Sequence, residues 1–328
     1  MAILVTGGAG YIGSHTAAEL LDAGEEVVIL DNLQKGHQGA ILGGKFHKGD
    51  IRDDEFLDKV FKENEIEAVI HFAADSLVGE SVGDPLKYYN NNMVSSLRLL
   101  SKMKEYGVKN IVFSSTAATY GEPENTPILE TDRTLPTNPY GETKLSVEKA
   151  LKWSDNAYGI KYVSLRYFNA AGAHVSGKVG EDHRPESHLI PIVLQAALGK
   201  RESIQIFGDD YDTADGSCVR DYIHVTDLAQ AHILALKKLR AGGESSIYNL
   251  GNGKGFSVKE VVKLAREVTG VDIKAVTAPR RAGDPAVLIA SSERIQKELK
   301  WEPKYNELAT IIETAWNWHK NHPDGYKE

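Results

Sequence analysis

The sequence predicts a doubly wound α/β fold, with a parallel sheet covered by helices on both faces and a smaller C-terminal α/β lobe. Three observations predict it. Short apolar runs alternate with helix-length stretches through the first 170 residues, a glycine-rich turn follows the first run, and an acid closes the second. Strands that are short and apolar along their whole length are buried on both faces, which a parallel sheet with helical crossovers provides.

Taken in order, Ala2 to Thr6 is an apolar strand ending in glycines, and Tyr11 to about Ala23 is the helix that follows. Glu26 to Leu30 is the second strand, closed by Asp31. Lys45 to Lys48, Ala68 to Phe72 and Asn110 to Ser114 repeat the pattern, with helices at about Asp54–Asn64 and Pro85–Tyr106. A helix over about Pro139–Tyr158 leads into the strand Tyr162–Tyr167. Beyond residue 170 the rhythm breaks. Gly172–Ser187 and Asp209–Ser217 read as long loops, of the kind that tend to be functional. Helices are expected at 189–198, 226–240, 257–269 and 305–321, with short strands near 204–207 and 247–250. Residues 1–170 therefore read as a nucleotide-binding domain and 171–328 as a substrate lobe, with about 218–250 returning to the first.

Composition narrows the function classes. The 328 residues are 41% hydrophobic and 26% charged, which excludes collagen-like, disordered and disulfide-scaffold classes. A net charge of −8 argues against a nucleic-acid or anionic-membrane partner, so a phosphate-bearing ligand must be held by a few placed groups. The longest uncharged apolar run, 188–199, is too short to span a bilayer, and the first ten residues lack a basic leader pattern. A single cysteine, Cys218, fits a reducing compartment. The expectation is a cytoplasmic soluble protein.

The turn Thr6-Gly7-Gly8-Ala9-Gly10-Tyr11-Ile12-Gly13 satisfies Gly-x-Gly-x-x-Gly directly after a strand and opens a helix. Glycines there let a pyrophosphate approach the N–H groups at the helix start, where the dipole favours negative charge. Asp31 lies where an acid accepts hydrogen bonds from an adenosine ribose. A carboxylate repels a 2′-phosphate, and the nearest cation in sequence is Lys35, so NAD is expected over NADP.

Tyr140-Gly141-Glu142-Thr143-Lys144 puts a phenol and an ammonium one helical turn apart. An ammonium lowers a phenol's pKa and makes it a usable base. About one such pair arises by composition alone in a chain with 14 tyrosines, so placement carries the reading. The strand before this helix exits through Ser114-Ser115-Thr116, at the carboxyl edge where ligands bind, and a hydroxyl from Ser115 or Thr116 can share a substrate oxygen with Tyr140.

These residues resemble the extended short-chain dehydrogenase/reductase family. The stretches TGGAGYIG, HFAADSLVGES, FSSTAATYG, NPYGETK, LRYFNAAGAH, VRDYIHVTDLA, YNLGNG and APRRAGD are similar, in order and over nearly the whole chain, to the branch that epimerises UDP-sugars at C4. The resemblance implies a Rossmann-type domain with tightly bound NAD. It implies that Gly7, Gly10, Tyr11, Ile12 and Gly13 line the pyrophosphate, and that Asp31, Asn32, Leu33, Gln34, Lys35 and Gly36 surround the adenosine ribose. Asp50 and Ile51 then face the adenine, while Phe72, Ala73, Ala74, Asp75, Ser76 and Asn91 contact the cofactor further along. Thr116, Tyr140, Lys144 and Phe168 surround the nicotinamide and the reacting sugar, with Thr116, Tyr140 and Lys144 catalytic. Asn169, His188, Leu189, Gln205, Ile206, Phe207, Arg220, and Arg281 to Asp284 would hold the UDP-sugar.

The implied reaction interconverts UDP-galactose and UDP-glucose through a 4-keto sugar that turns over before hydride and proton return. A homodimer built from the helices at about 85–106 and 139–158 is also implied. Three positions depart from common patterns of the family: Ser76 stands where some members carry lysine, His188 where others use asparagine, and Leu288 where some have a pocket-closing tyrosine. Leu288 leaves room for a 2-acetamido group and so for UDP-N-acetylglucosamine and UDP-N-acetylgalactosamine. Three rivals are disfavoured. Thr116 is followed by Ala117 and Ala118, which cannot serve a dehydratase; Asp31 disfavours an NADPH reductase; and Tyr140 with Lys144 disfavours a non-catalytic NAD-binding scaffold. The 11 histidines contain no His-Glu-x-x-His pair, Glu181-Asp182-His183 reads as a solvated loop, and no metal is expected.

Overall fold

The computed structural model describes residues 1–281 and 284–327. The chain begins β1 (Ala2–Thr6), α1 (Tyr11–Asp22), β2 (Val27–Asp31), β3 (Lys45–Lys48), α2 (Asp54–Glu63) and β4 (Ile66–His71). Next come α3 (Val78–Gly83), α4 (Pro85–Tyr88), a π-helical turn (Tyr89–Val94), α5 (Ser95–Glu105) and β5 (Asn110–Thr116). Then α6 (Pro139–Tyr158) leads to β6 (Lys161–Tyr167). The second half holds β7 (Asn169–Ala171), α7 (Leu189–Ala197), β8 (Ile204–Phe207), β9 (Val219–Arg220), β10 (Tyr222–His224), α8 (Val225–Arg240) and β11 (Ser246–Leu250). It closes with β12 (Phe256–Ser257), α9 (Val258–Thr269), β13 (Ala275–Ala278), β14 (Val287–Leu288), α10 (Glu293–Leu299) and α11 (Leu308–Asn321).

Seven strands pair in parallel in the order β11-β6-β5-β4-β1-β2-β3, so the strand order reverses between β1 and β4. Alternation along each strand builds two cores. Ile3, Val5, Ile29, Ile70 and Val112 face one side, where Leu228, Leu236 and Trp301 cover them. Leu4, Leu30, Val69 and Phe113 face the other, beneath Leu57, Leu99, Val147 and Leu151. A third core joins α7, α9 and α11 through residues such as Val193, Val261 and Ile312. The expected helix over Pro85–Tyr106 is present but carries the π-helical turn, and α3 and α10 went unforeseen. Local periodicity could not show that β11 extends the main sheet beside β6, since that pairing joins residues about 80 apart.

Candidate active site

The glycine turn leaves the carboxyl end of β1, next to the point where the strand order reverses. Gly10 caps α1 without a side chain and the first turn carries no acid, so its N–H groups face outward with their partial charge uncompensated. Gly13 is obligatory for a steric reason: a Cβ there would lie 2.1 Å from the Gly7 carbonyl oxygen. Tyr11 turns its hydroxyl to the Gly172 carbonyl (2.7 Å), tying the turn to the second half. Ile12 packs into the core, which leaves its backbone to face a ligand.

Asp31 accepts from the N–H of Ala9 (3.0 Å) and of Leu33 (2.8 Å). Burial pushes its carboxyl up, against those two donors. The acid therefore braces the glycine turn and keeps lone pairs for further donors. Asn32 reaches Asp50 (3.1 Å), and Arg52 grips Asp50 through Nε (2.9 Å) and Nη2 (2.7 Å), holding that carboxyl well below the usual range. Lys35, the nearest cation in sequence, is exposed, and the structure adds Arg52 beside Asp50. Its Nε and Nη2 are both committed to Asp50, leaving the acidic end of the cleft suited to a free ribose. Ile51 is buried in the core, and Gln34, Lys35 and Ser76 are exposed.

Phe72 packs its ring against His232 with centroids 4.6 Å apart and planes tilted by 45°, so its half-buried side chain leans on the core. Its backbone and that of Ala73 donate to the Thr6 carbonyl at 2.9 and 3.2 Å. Asp75 is buried and its N–H is held by Asn92 (2.8 Å), whose amide also reaches Thr143 (3.1 Å) on α6. Asn92 was missed in the sequence. The π-helical turn rotates it inward, next to the expected Asn91, and nothing in a regular 3.6-residue period signals that.

Helix α6 starts with Asn138, which accepts from Gly141 N–H (2.9 Å), and Pro139 at its first turn. Gly141 lets it come close, because a Cβ would stand 2.5 Å from the Ala118 carbonyl oxygen. That approach brings Tyr140 next to Thr116, whose hydroxyl favours the ionised phenol. Ser115 is excluded: it donates to buried Glu148 at 2.5 Å, because neighbouring strand residues point to opposite faces. Glu148 also receives Arg166 through Nε (2.9 Å) and Nη2 (2.5 Å), with both side chains 4% exposed.

Lys144 donates to the Ser114 carbonyl (2.8 Å) and lies 4.9 Å from the centre of the Phe113 ring. Burial takes its ammonium down to about 7, against the pull of Glu148. The Tyr140 phenol is pushed up by burial, with the Thr116 hydrogen bond opposing. The expected lowering of the phenol by the ammonium is thus not produced by the protein groups alone: burial raises the phenol, and the group opposing it is Thr116.

A buried Lys144 gives a stability signature. Its folded pKa of about 7 lies below the unfolded value of 10.5, so between those values the unfolded chain binds more protons and stability rises with pH. Lys144→Met removes this dependence. Urea unfolding at pH 6.5 and 9, without added NAD, will show the variant's stability advantage shrinking by about 2–3 kcal/mol at the higher pH; a pH-independent difference would contradict the reading.

On the substrate side, Phe168 follows β6, whose Tyr167 pairs in register with Thr116, and Asn169 donates through its side chain to the Asp221 carbonyl (3.2 Å). Arg220 pairs with Asp284 (3.1 Å), Arg281 lies 3.9 Å over the Phe207 ring, and Leu288 registers beside Arg220 between β14 and β9. Gln205 is exposed, while Ile206 is buried in the third core. Ala282 and Gly283 lie outside the described residues.

The expected solvated loop at Glu181–His183 is corrected. Glu181 is 3% exposed and accepts from His188 Nδ1, and His183 Nδ1 stands 3.2 Å away. Burial pushes the Glu181 carboxyl up, but the two imidazoles reverse this and hold it at about 2. Leu189 begins α7 directly after His188.

A nucleotide cradle at the β1–α1 turn, with a half-buried phenol beside a buried threonine and lysine at the carboxyl edge of the same sheet, defines a dinucleotide-dependent protein built for proton and hydride transfer at a hydroxyl-bearing carbon. The chain belongs to the NAD dependent epimerase/dehydratase family, whose model matches residues 3–251. It is 66% identical over 326 residues to a UDP-glucose 4-epimerase of Halalkalibacterium halodurans, covering 99% of this chain and 98% of that one. A crystal structure of a UDP-glucose 4-epimerase superposes with a TM-score of 0.99 at 59% identity over 100% of both chains. The Brucella ovis UDP-glucose 4-epimerase in complex with NAD gives 0.94 at 47%, over 96% of this chain and 97% of that one. Among the described residues, no helix is long and apolar enough to cross a membrane.

Proposed function

We propose that this chain interconverts UDP-galactose and UDP-glucose with NAD held at the β1–α1 turn. The observation that carries the reading is the placement of Tyr140 beside buried Thr116, with buried Lys144 one helical turn on. The uncapped start of α1, the close packing at Gly13 and the acid Asp31 fit a dinucleotide. NAD, when bound, supplies a hydride acceptor and a positive charge beside the phenol. Tyr140 takes the proton of the sugar 4-hydroxyl and returns it, and Thr116 hydrogen-bonds the same oxygen in either orientation. Lys144 orients the nicotinamide ribose. The uncapped first turn of α7, His188, Arg220 and Arg281 hold the diphosphate of an anionic substrate in an acidic protein.

We take residues 1–170, with about 218–250 returning, as the nucleotide domain and 171–328 as the substrate lobe. Cys218 is free and buried, in keeping with a cytoplasmic setting. Exposed Leu86, Tyr89, Val94, Leu97 and Trp153 on α4–α6 supply an apolar face for a homodimer, which sedimentation will resolve as twice the chain mass. The test of function offers UDP-galactose to the purified protein without added cofactor. UDP-glucose formation with NAD recovered on denaturation supports the proposal, and no product even with excess NAD overturns it.

Leu288, half-buried beside Arg220, is proposed to admit 2-acetamido sugars. Leu288→Tyr will then cut kcat/KM for UDP-N-acetylglucosamine by roughly 10-fold or more, on the scale of a side-chain clash, while sparing UDP-galactose. Equal loss on both substrates would sink the idea.

A further inference from the structure

One loop places four metal-ligating side chains together: Glu181, His183, Glu186 and His188. One donor atom from each lies within 4.8 Å of every other. The Glu181 and Glu186 side chains are each 3% exposed, and their ion-pair partners are the two imidazoles. His183 Nδ1 is buried with no aligned hydrogen bond, yet it stands 3.2 Å from Glu181 Oε1 and 3.7 Å from Glu186 Oε1. Four ligands at 2.0–2.1 Å around a tetrahedral ion stand roughly 3.3–3.4 Å apart, so the two His183 contacts match zinc, while His188 and Glu181, hydrogen-bonded to each other, part by about an ångström to share the ion.

We propose that Glu181, His183, Glu186 and His188 form a zinc site. Two nitrogens and two carboxylate oxygens suit zinc, and four protein ligands make the site closed and structural. Zinc binding displaces the protons that the imidazoles share with the carboxylates, and the resulting set of two neutral imidazoles, two carboxylates and the ion carries no net charge. The site sits beside the first residue of α1, with the His183 ring centred 6.1 Å from that of Tyr11, so it pins the Gly172–Ser187 loop over the glycine turn. Ligation through His188 Nδ1 fixes the proton on Nε2 and leaves that N–H to a substrate phosphate. This last consequence rests on the function proposed above; the zinc site itself does not.

The test incubates the full-length protein with about ten equivalents of Zn²⁺, dialyses it, and measures metal by mass spectrometry together with thermal unfolding. About one zinc per chain and a raised Tm are expected. Glu186→Gln and His183→Gln will weaken zinc binding by at least 10-fold in a chelator competition, whereas Ser187→Ala, within the loop but outside the donor set, will retain it. Less than about 0.1 zinc per chain overturns the proposal, as does equal retention by both ligand variants, which would mark adventitious metal only. Epimerase activity is scored separately, so loss of that reading leaves the metal result standing.

Discussion

Tyr140→Phe will lower kcat by about 10²–10⁴ while bound NAD and the KM for UDP-galactose change little. The hydroxyl removed is the group that meets Thr116, and the ring that fills the buried site is kept. Burial already pushes this phenol up, so the protein stabilises the neutral form until a positive charge arrives beside it. Initial rates on UDP-galactose, with NAD quantified after denaturation, will check this. A variant with parental kcat would remove Tyr140 from the chemistry. A variant that lost its NAD would instead move Tyr140 into cofactor retention.

The second large effect is on stability. Glu148→Ala will destabilise the fold by about 3–5 kcal/mol, because it strands the Arg166 guanidinium in a site where both side chains are 4% exposed. It also removes the acceptor of Ser115. The control is Glu244→Ala, which breaks the exposed pair with Lys161, where Glu244 is 82% exposed; it will cost less than about 1 kcal/mol. Urea unfolding of the two variants separates them. Similar losses would mean that Arg166 finds another partner, the Tyr120 ring 4.8 Å away being the nearest alternative. Since Ser115 adjoins Thr116 and Glu148 lies one turn from Lys144, the variant will also report whether this buried pair holds the catalytic residues in register.

Much of the cofactor cleft was legible because its signals are local. A strand, a glycine turn and a helix start within about 12 residues carry the cradle, and the fixed period of a helix puts Tyr140 and Lys144 on one face. Less legible were the positions at which a side chain chooses between two surfaces. Phe72 and Ile51 stand at expected contact positions, and their side chains pack into or against the cores. Asn92 and Arg52 were invisible, the first because a π-helical turn breaks the period, the second because its partner Asp50 is set by a turn and not by a motif.

The sequence by itself determined the doubly wound plan, the glycine turn with its acid, and the placing of Tyr140 and Lys144 on one helical face, because each depends on neighbours within one or two elements. Only the tertiary structure decided which of two adjacent hydroxyls lies beside Tyr140, that β11 pairs with β6 at the edge of the first sheet, and that Glu181 is buried between two histidines. Those outcomes turn on the face a residue presents and on contacts between distant segments. Burial and pairing are settled there by the whole packed chain, and no local periodicity encodes them.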